Sequence, residues 1–256
     1  CSRSQPLWAE ARKNDDFERF LPHLKKIISL KRREAAYLGY EHSPYDALID
    51  TYEPGMTTHA LDPIFDELRI FLPKLLKQIQ KKQGKISLKK IQGTFPLEEQ
   101  KTLNASLAEK MGFDFQAGRM DISTHPFTTN FHPRDVRFTT RYNEHHLLYS
   151  LGSTMHEVGH ALYEQGMRPE YFGTPLSEAV SLGIHESQSR VWENTVGKSL
   201  AFWTFFYPKL QKQFPRPFSS VPLHEFYRII NHVTPSFVRT EADEVPYNLH
   251  ILLRYE

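Results

Sequence analysis

Residues 144–166 read EHHLLYSLGSTMHEVGHALYEQG, and their periodicity decides what kind of fold surrounds them. Apolar residues recur at helical spacing from about Glu144, and Gly166 offers a stop. Inside that stretch lies His156-Glu157-Val158-Gly159-His160. Residues four apart on a helix lie nearly above one another, so both imidazoles project from one face at a separation that one ion can bridge. Glu157 sits about 100° around the helix from His156. Its carboxylate then stands beside the metal, where it can take a proton from water.

A catalytic zinc site needs a third protein ligand and an open fourth position. No His-x-x-Gly-x-x-His extension follows His160. A second helix is expected from Pro175 or Ser177 to about Val196, and it carries His185-Glu186-Ser187-Gln188-Ser189-Arg190. Two antiparallel helices joined through Pro169 and Gly173 can set Glu186 opposite the histidine pair. Glu178 and Glu193, one or two turns away, compete for the same place. Zinc is the expected ion, with cobalt as an alternative. His185 adjoins a ligand but points to another face, where support of the site or packing suits it better than ligation.

Outward from this centre the chain remains mostly helical. Apolar residues repeat at helical spacing from Trp8 to Tyr40, and Ser43-Pro44 and Glu53-Pro54-Gly55 mark a short link. A second pattern runs from near Leu61 through Ile79, and fades into the solvated turn Lys81-Lys82-Gln83-Gly84-Lys85. A third helix spans Leu97 to Met111, closed by Gly112. From Arg119 to Tyr142 the period drops toward two, which predicts two short strands around Ile122–Thr124 and Val136–Tyr142. The second of these could offer an edge to a peptide backbone. Phe202, Trp203, Phe205, Phe206 and Tyr207 read as core. Pro208, Pro215, Pro217 and Pro222 read as an irregular connector, followed by helices over Leu223–Val233 and Pro235–Tyr255. The expected architecture is a mainly α, zincin-like metallopeptidase with a small β-sheet beside the active site. It is a single catalytic domain over 1–256: a helical part at 1–118, strands at 119–142 and metal-site helices at 143–256.

The bulk composition excludes several partners. With 32 basic and 30 acidic residues the formal charge is +2, too balanced for a nucleic-acid or anionic-membrane footprint. No apolar run approaches the roughly 18 residues of a spanning helix. The one cysteine, Cys1, precludes an internal disulfide, and a reducing, cytoplasmic setting is expected.

Several separated motifs resemble the M32 metallocarboxypeptidases, the Taq carboxypeptidase type. His125-Pro126-Phe127 looks like that family's His-Pro-Phe motif, and Asp135-Val136-Arg137-Phe138-Thr139 fits Asp-x-Arg-x-Thr. His156 to His160 is similar to its metal motif, and His185-Glu186-Ser187-Gln188 to the motif whose glutamate is the third ligand. Val238-Arg239-Thr240-Glu241-Ala242-Asp243 fits Ile-Arg-x-x-Ala-Asp with Val for Ile. The N-terminal Ala11-Arg12-Lys13-Asn14-Asp15-Asp16-Phe17 also resembles family members. The family's later Gly-x-x-Gln-Asp-x-His-Trp motif has no counterpart before Glu256, and its members are longer at both ends. A fragment of a longer chain is therefore expected.

The resemblance implies removal of single residues from the C-termini of unfolded peptides, broad side-chain tolerance, a long narrow cleft and a homodimer in the full-length protein. Glu157 is the expected general base and His156, His160 and Glu186 the expected ligands. Arg239 is the first candidate for binding a substrate carboxylate, against an ion pair with Asp243 or Glu241. Arg137 reads as structural through Asp135 first and as substrate-binding second. His125 reads equally as a substrate contact or a packed loop residue, and His145 and His146 as exposed or first-turn residues. Two other functions stay open: a helical zinc oligopeptidase, and a non-catalytic helical scaffold with a vestigial metal site.

Overall fold

The computed structural model describes residues 4–84, 86–237, 239 and 242–256. Cys1, Lys85 and three members of the Arg239 motif, Val238, Thr240 and Glu241, lie outside the described residues. The chain divides into two compact units, 1–67 and 68–256.

The first unit holds α1 (Ser4–Lys13), α2 (Phe17–Leu38), α3 (Pro44–Asp50) and the start of α4 (Thr58–Lys82). The periodic stretch expected over Trp8–Tyr40 is two helices. Asp15 takes a positive φ of 53°, and the Asp16 side chain accepts from the Arg19 amide to cap α2. The expected link after Ser43 contains α3, because Ser43 caps it and Pro44 fits a first helical turn.

In the second unit, α5 (Leu97–Met111) ends as expected at Gly112, whose φ of 106° is the left-handed conformation that favours glycine. Three strands follow where two were expected: β1 (Gly118–Ile122), β2 (Thr128–His132) and β3 (Asp135–Thr140). Their spatial order is β1-β3-β2, with β1 parallel and β2 antiparallel to β3. The strand not foreseen, β2, lies between Pro126 and Pro133 and has a central Asn130, a residue depleted in strands. Paired on both sides, β3 is the central strand and cannot offer the edge expected of it; β1 and β2 hold the edges.

The metal helix expected from Glu144 is α6 (Leu147–Gln165). Gly166 follows it in a right-handed conformation. Buried Leu147, Leu151, Met155, Val158 and Ala161 form its inward stripe. That stripe sits against α5 and the sheet, where Val136 and Phe138 of β3 are fully buried. The helix expected from Pro175 or Ser177 is interrupted. A 3₁₀ turn at Pro175–Ser177 leads to extended Glu178, and α7 covers only Leu182–Arg190, capped by Ser181. A π-helical turn, Val191–Val196, continues it.

The expected connector around Pro208 is instead α8 (Leu200–Gln213), with Pro208 inside, followed by the short α9 (Pro215–Phe218). The aromatic run lies on α8 and buries Trp203, Phe206 and Tyr207, as expected of core, while Phe205 faces out. The last helices are shorter than expected: α10 (Leu223–Ile230) and α11 (Glu244–Tyr255). Arg239 accordingly lies in the segment between them, on neither α-helix and in 3₁₀ conformation. Among the described residues no helix is long and apolar enough to cross a membrane.

Phe226 of α10 is fully buried, stacked on Tyr207 at 4.4 Å and edge-on to Trp203 at 4.7 Å. Phe226→Ala should destabilise the chain by about 3–5 kcal/mol, because neighbouring rings cannot collapse into the space. Urea unfolding checks this; a change under about 1 kcal/mol would mean the aromatic cluster is not the core of the second unit.

Candidate metal centre

The central feature is the close approach of α7 to α6. A Cβ built on Gly159 would fall 2.6 Å from the Ser189 Cα and 2.8 Å from the Gln188 carbonyl oxygen. Only glycine lets the two backbones come so close. Ser189 is fully buried in this contact.

The approach brings Glu186 to the histidine pair. Its Oε2 lies 3.5 Å from His156 Nε2 and 3.2 Å from His160 Nε2. The three ligand atoms all fall within 4.8 Å of one another. A tetrahedral ion with bonds of roughly 2.0–2.2 Å separates its ligands by about 3.3–3.6 Å, so two nitrogens and a carboxylate at these distances suit a divalent cation. Of the two competing glutamates, Glu178 is exposed in the connection before α7. Glu193 takes another role: its Oε2 meets His156 Nδ1 at 2.8 Å.

Charged neighbours hold these groups. Arg190 donates from Nε to Glu186 Oε1 at 3.2 Å and from Nη1 to Glu193 Oε2 at 3.0 Å. Its guanidinium also lies 3.9 Å from the centre of the Tyr247 ring. Burial alone would raise the Glu186 carboxyl, but the adjacent His160 and His156 imidazoles and the Arg190 guanidinium outweigh it and hold it down to about 2. Burial would lower His156, and the bond to Glu193 reverses that, raising it above the ordinary imidazole value.

Glu157 is 6% exposed. Its Oε2 accepts from Thr128 Oγ1 of β2 at 2.8 Å. Burial raises its carboxyl above the ordinary value despite the Thr128 hydrogen bond and the nearby histidines. A carboxylate with raised proton affinity beside a cation site can receive and return a proton.

The remaining expected residues are less closely joined to the centre. Arg239 donates to the Tyr247 hydroxyl at 2.6 Å, so it shares that ring with Arg190, which in turn bonds Glu186. Of its expected ion-pair partners, Asp243 accepts from the Thr234 amide, and Glu241 lies outside the described residues. Arg137 pairs bidentately with Asp135, both contacts 2.8 Å, and lies over Phe131. Exposed His125 lies in the β1–β2 connection. His145 and His146 are exposed before α6. His185, expected to support the site or to pack, lies with its Nδ1 2.6 Å from His160 Nδ1.

Thr128, Asn130, Glu164, Arg190 and Tyr247 escaped the reading of the sequence. Two signals were available: Arg190 stands four residues after Glu186, and Glu164 seven after Glu157, each on a shared helix face.

The whole chain, residues 1–256, matches the family model described as carboxypeptidase Taq (M32) metallopeptidase. It is 43% identical over its full length to carboxypeptidase 1 of Bacillus subtilis and covers 51% of that protein. To thermostable carboxypeptidase 1 of Thermus thermophilus it is 44% identical, covering 52%. A solved structure of Pyrococcus furiosus carboxypeptidase superposes on 99% of this chain with a TM-score of 0.92 and 44% identity, again over 51% of that protein. The chain thus spans about half the length of the curated relatives it matches.

Gly159→Ala should drive the two helices apart. The expected result is divalent-metal binding weakened by about tenfold or more, measured by chelator competition. Gly152→Ala on the same helix, where an added Cβ meets nothing within 4 Å, should leave binding unchanged. Equal affinities in the two variants would show that the close contact does not set the site.

Proposed function

The chain belongs to the carboxypeptidase Taq (M32) metallopeptidase family, and on that premise we propose that the protein carrying it is a zinc-dependent metallocarboxypeptidase acting on unfolded peptides. The observation that carries this reading is the buried general-base candidate, Glu157, beside a His156–His160–Glu186 set of ligand geometry. A structural zinc site has no need of a base and usually takes thiolates, which speaks against a vestigial or merely structural site.

A zinc ion held by these three residues would supply Lewis acidity, polarising the scissile carbonyl and making water a better acid. Thr128 fixes one oxygen of Glu157, so the carboxylate keeps its orientation. Glu157 accepts the proton of the attacking water and returns it to the leaving amine. Arg190 holds Glu186 and Glu193 in place through its two hydrogen bonds. Arg239 supplies the guanidinium for a substrate's C-terminal carboxylate; the support is its link through Tyr247 to the residues around Glu186. His125 and Arg137 remain secondary candidates for contact with the peptide. The broad specificity and homodimer of the whole protein rest on the family resemblance alone.

Glu157→Gln preserves size but cannot accept the proton. In the whole protein carrying this sequence it should keep its zinc and lose turnover by about 10²–10⁴-fold. Metal content and peptide hydrolysis measured together check this, and near-normal turnover with metal bound would rule out the assigned base.

Arg239→Ala separates the carboxypeptidase from an oligopeptidase. For a free-acid peptide kcat/KM should fall roughly ten- to hundredfold, the scale of a lost charge-assisted pair, while the matching C-terminal amide changes little. Equal losses on both peptides, in a folded variant, would leave Arg239 a structural role.

A further inference from the structure

Glu164 and His185 form a chain of contacts that reaches His160 at the nitrogen away from Glu186. His160 Nδ1 lies 2.6 Å from His185 Nδ1, and His185 Nε2 lies 2.7 Å from Glu164 Oε1. Asn130 of β2 donates from Nδ2 to the other carboxylate oxygen, Glu164 Oε2. Glu164 is only 8% exposed. The edge of the Tyr163–His185 pair, 5.1 Å between ring centres, packs the imidazole from one side.

One proton pattern satisfies these contacts and leaves His160 Nε2 open to an ion. In it the Glu164 carboxylate accepts at both oxygens, from Asn130 Nδ2 and from His185 Nε2. A neutral His185 then carries its lone pair on Nδ1. The short contact between the two Nδ1 atoms then holds a single proton, on His160. His160 Nε2 is left with the free lone pair, and that nitrogen faces Glu186 Oε2 at 3.2 Å. The neighbouring residues His185 and Glu186 of α7 thus engage opposite nitrogens of one ring.

We propose that Glu164 and His185 are positioning residues for the metal centre, fixing the tautomer and ring orientation of His160 through this relay, with Asn130 tying it to the sheet. His156 is held differently, by Glu193 directly. The inference rests on His156, His160 and Glu186 binding metal, and it adds two residues and a strand contact to that set. The relay also gives β2 a double function: Thr128 holds the base and Asn130, two residues on and on the same strand face, holds the carboxylate seven residues after that base.

The test compares His185→Leu with His185→Asn by zinc affinity, using competition with a chromogenic chelator. Leu and Asn have the same branched shape, but only Asn places an acceptor oxygen near the original Nδ1. His185→Leu should raise Kd about ten- to hundredfold, and His185→Asn should recover most of that loss. Glu164→Leu should weaken binding in the native background and add little in the His185→Leu background, since both changes cut one relay. Equal affinities for the Leu and Asn variants, or fully additive losses with Glu164→Leu, would overturn the proposal. His160→Ala serves as the separate check on the metal centre. If it loses zinc while His185→Leu binds normally, only the relay is wrong; if it binds zinc as tightly as the native chain, the metal assignment fails and the relay with it.

Discussion

The missing side chain at Gly159 is the constraint on which the centre depends. A methyl group there would overlap the backbone of Ser189 and Gln188, so α7 can lie against α6 only while that position stays bare. From this one contact follow two others. Glu186 reaches both Nε2 atoms, and His185 reaches the far nitrogen of His160. The histidine pair is a property of one helix, but the placing of Glu186 beside it is a property of the packing between two.

Charge explains the surroundings of that contact. The carboxylates Glu157, Glu164, Glu186 and Glu193 all touch or face the histidines, with Arg190 as the neighbouring fixed cation. Like charges this close repel unless cations stand among them. A divalent ion between His156, His160 and Glu186 would relieve that repulsion while leaving Glu157 free to move a proton. On the proposed reading the four acids differ by environment: Glu186 would ligate, Glu157 is buried beside the site, Glu193 meets His156 Nδ1, and Glu164 meets His185, which meets His160 Nδ1.

Much of this was legible in the sequence because it depends on local spacing. The pair His156 and His160 follows from helical geometry, and α5 with its glycine stop was placed without error because Leu97–Met111 combines periodicity with Gly112. Interruptions were less legible. The breaks at Asp15 and before Ser181 depend on backbone turns and caps, which periodicity averages over. The strand β2 was missed because Asn130 and the flanking prolines argue against a strand, while pairing with β3 and contacts to α6 override that preference. Pro208 was read as a breaker, yet α8 continues through it with Trp203, Phe206 and Tyr207 buried on its inner side. Thr128 and Asn130 could not be assigned to the centre without the sheet that delivers them.

Crystals of the zinc-loaded protein, measured on both sides of the zinc absorption edge, test the central claim most directly. The anomalous map should show one strong peak bonded to His156 Nε2, His160 Nε2 and a Glu186 oxygen at roughly 2.0–2.2 Å. A peak held instead by Glu178 or Glu193, or one remote from the histidine pair, would contradict the account.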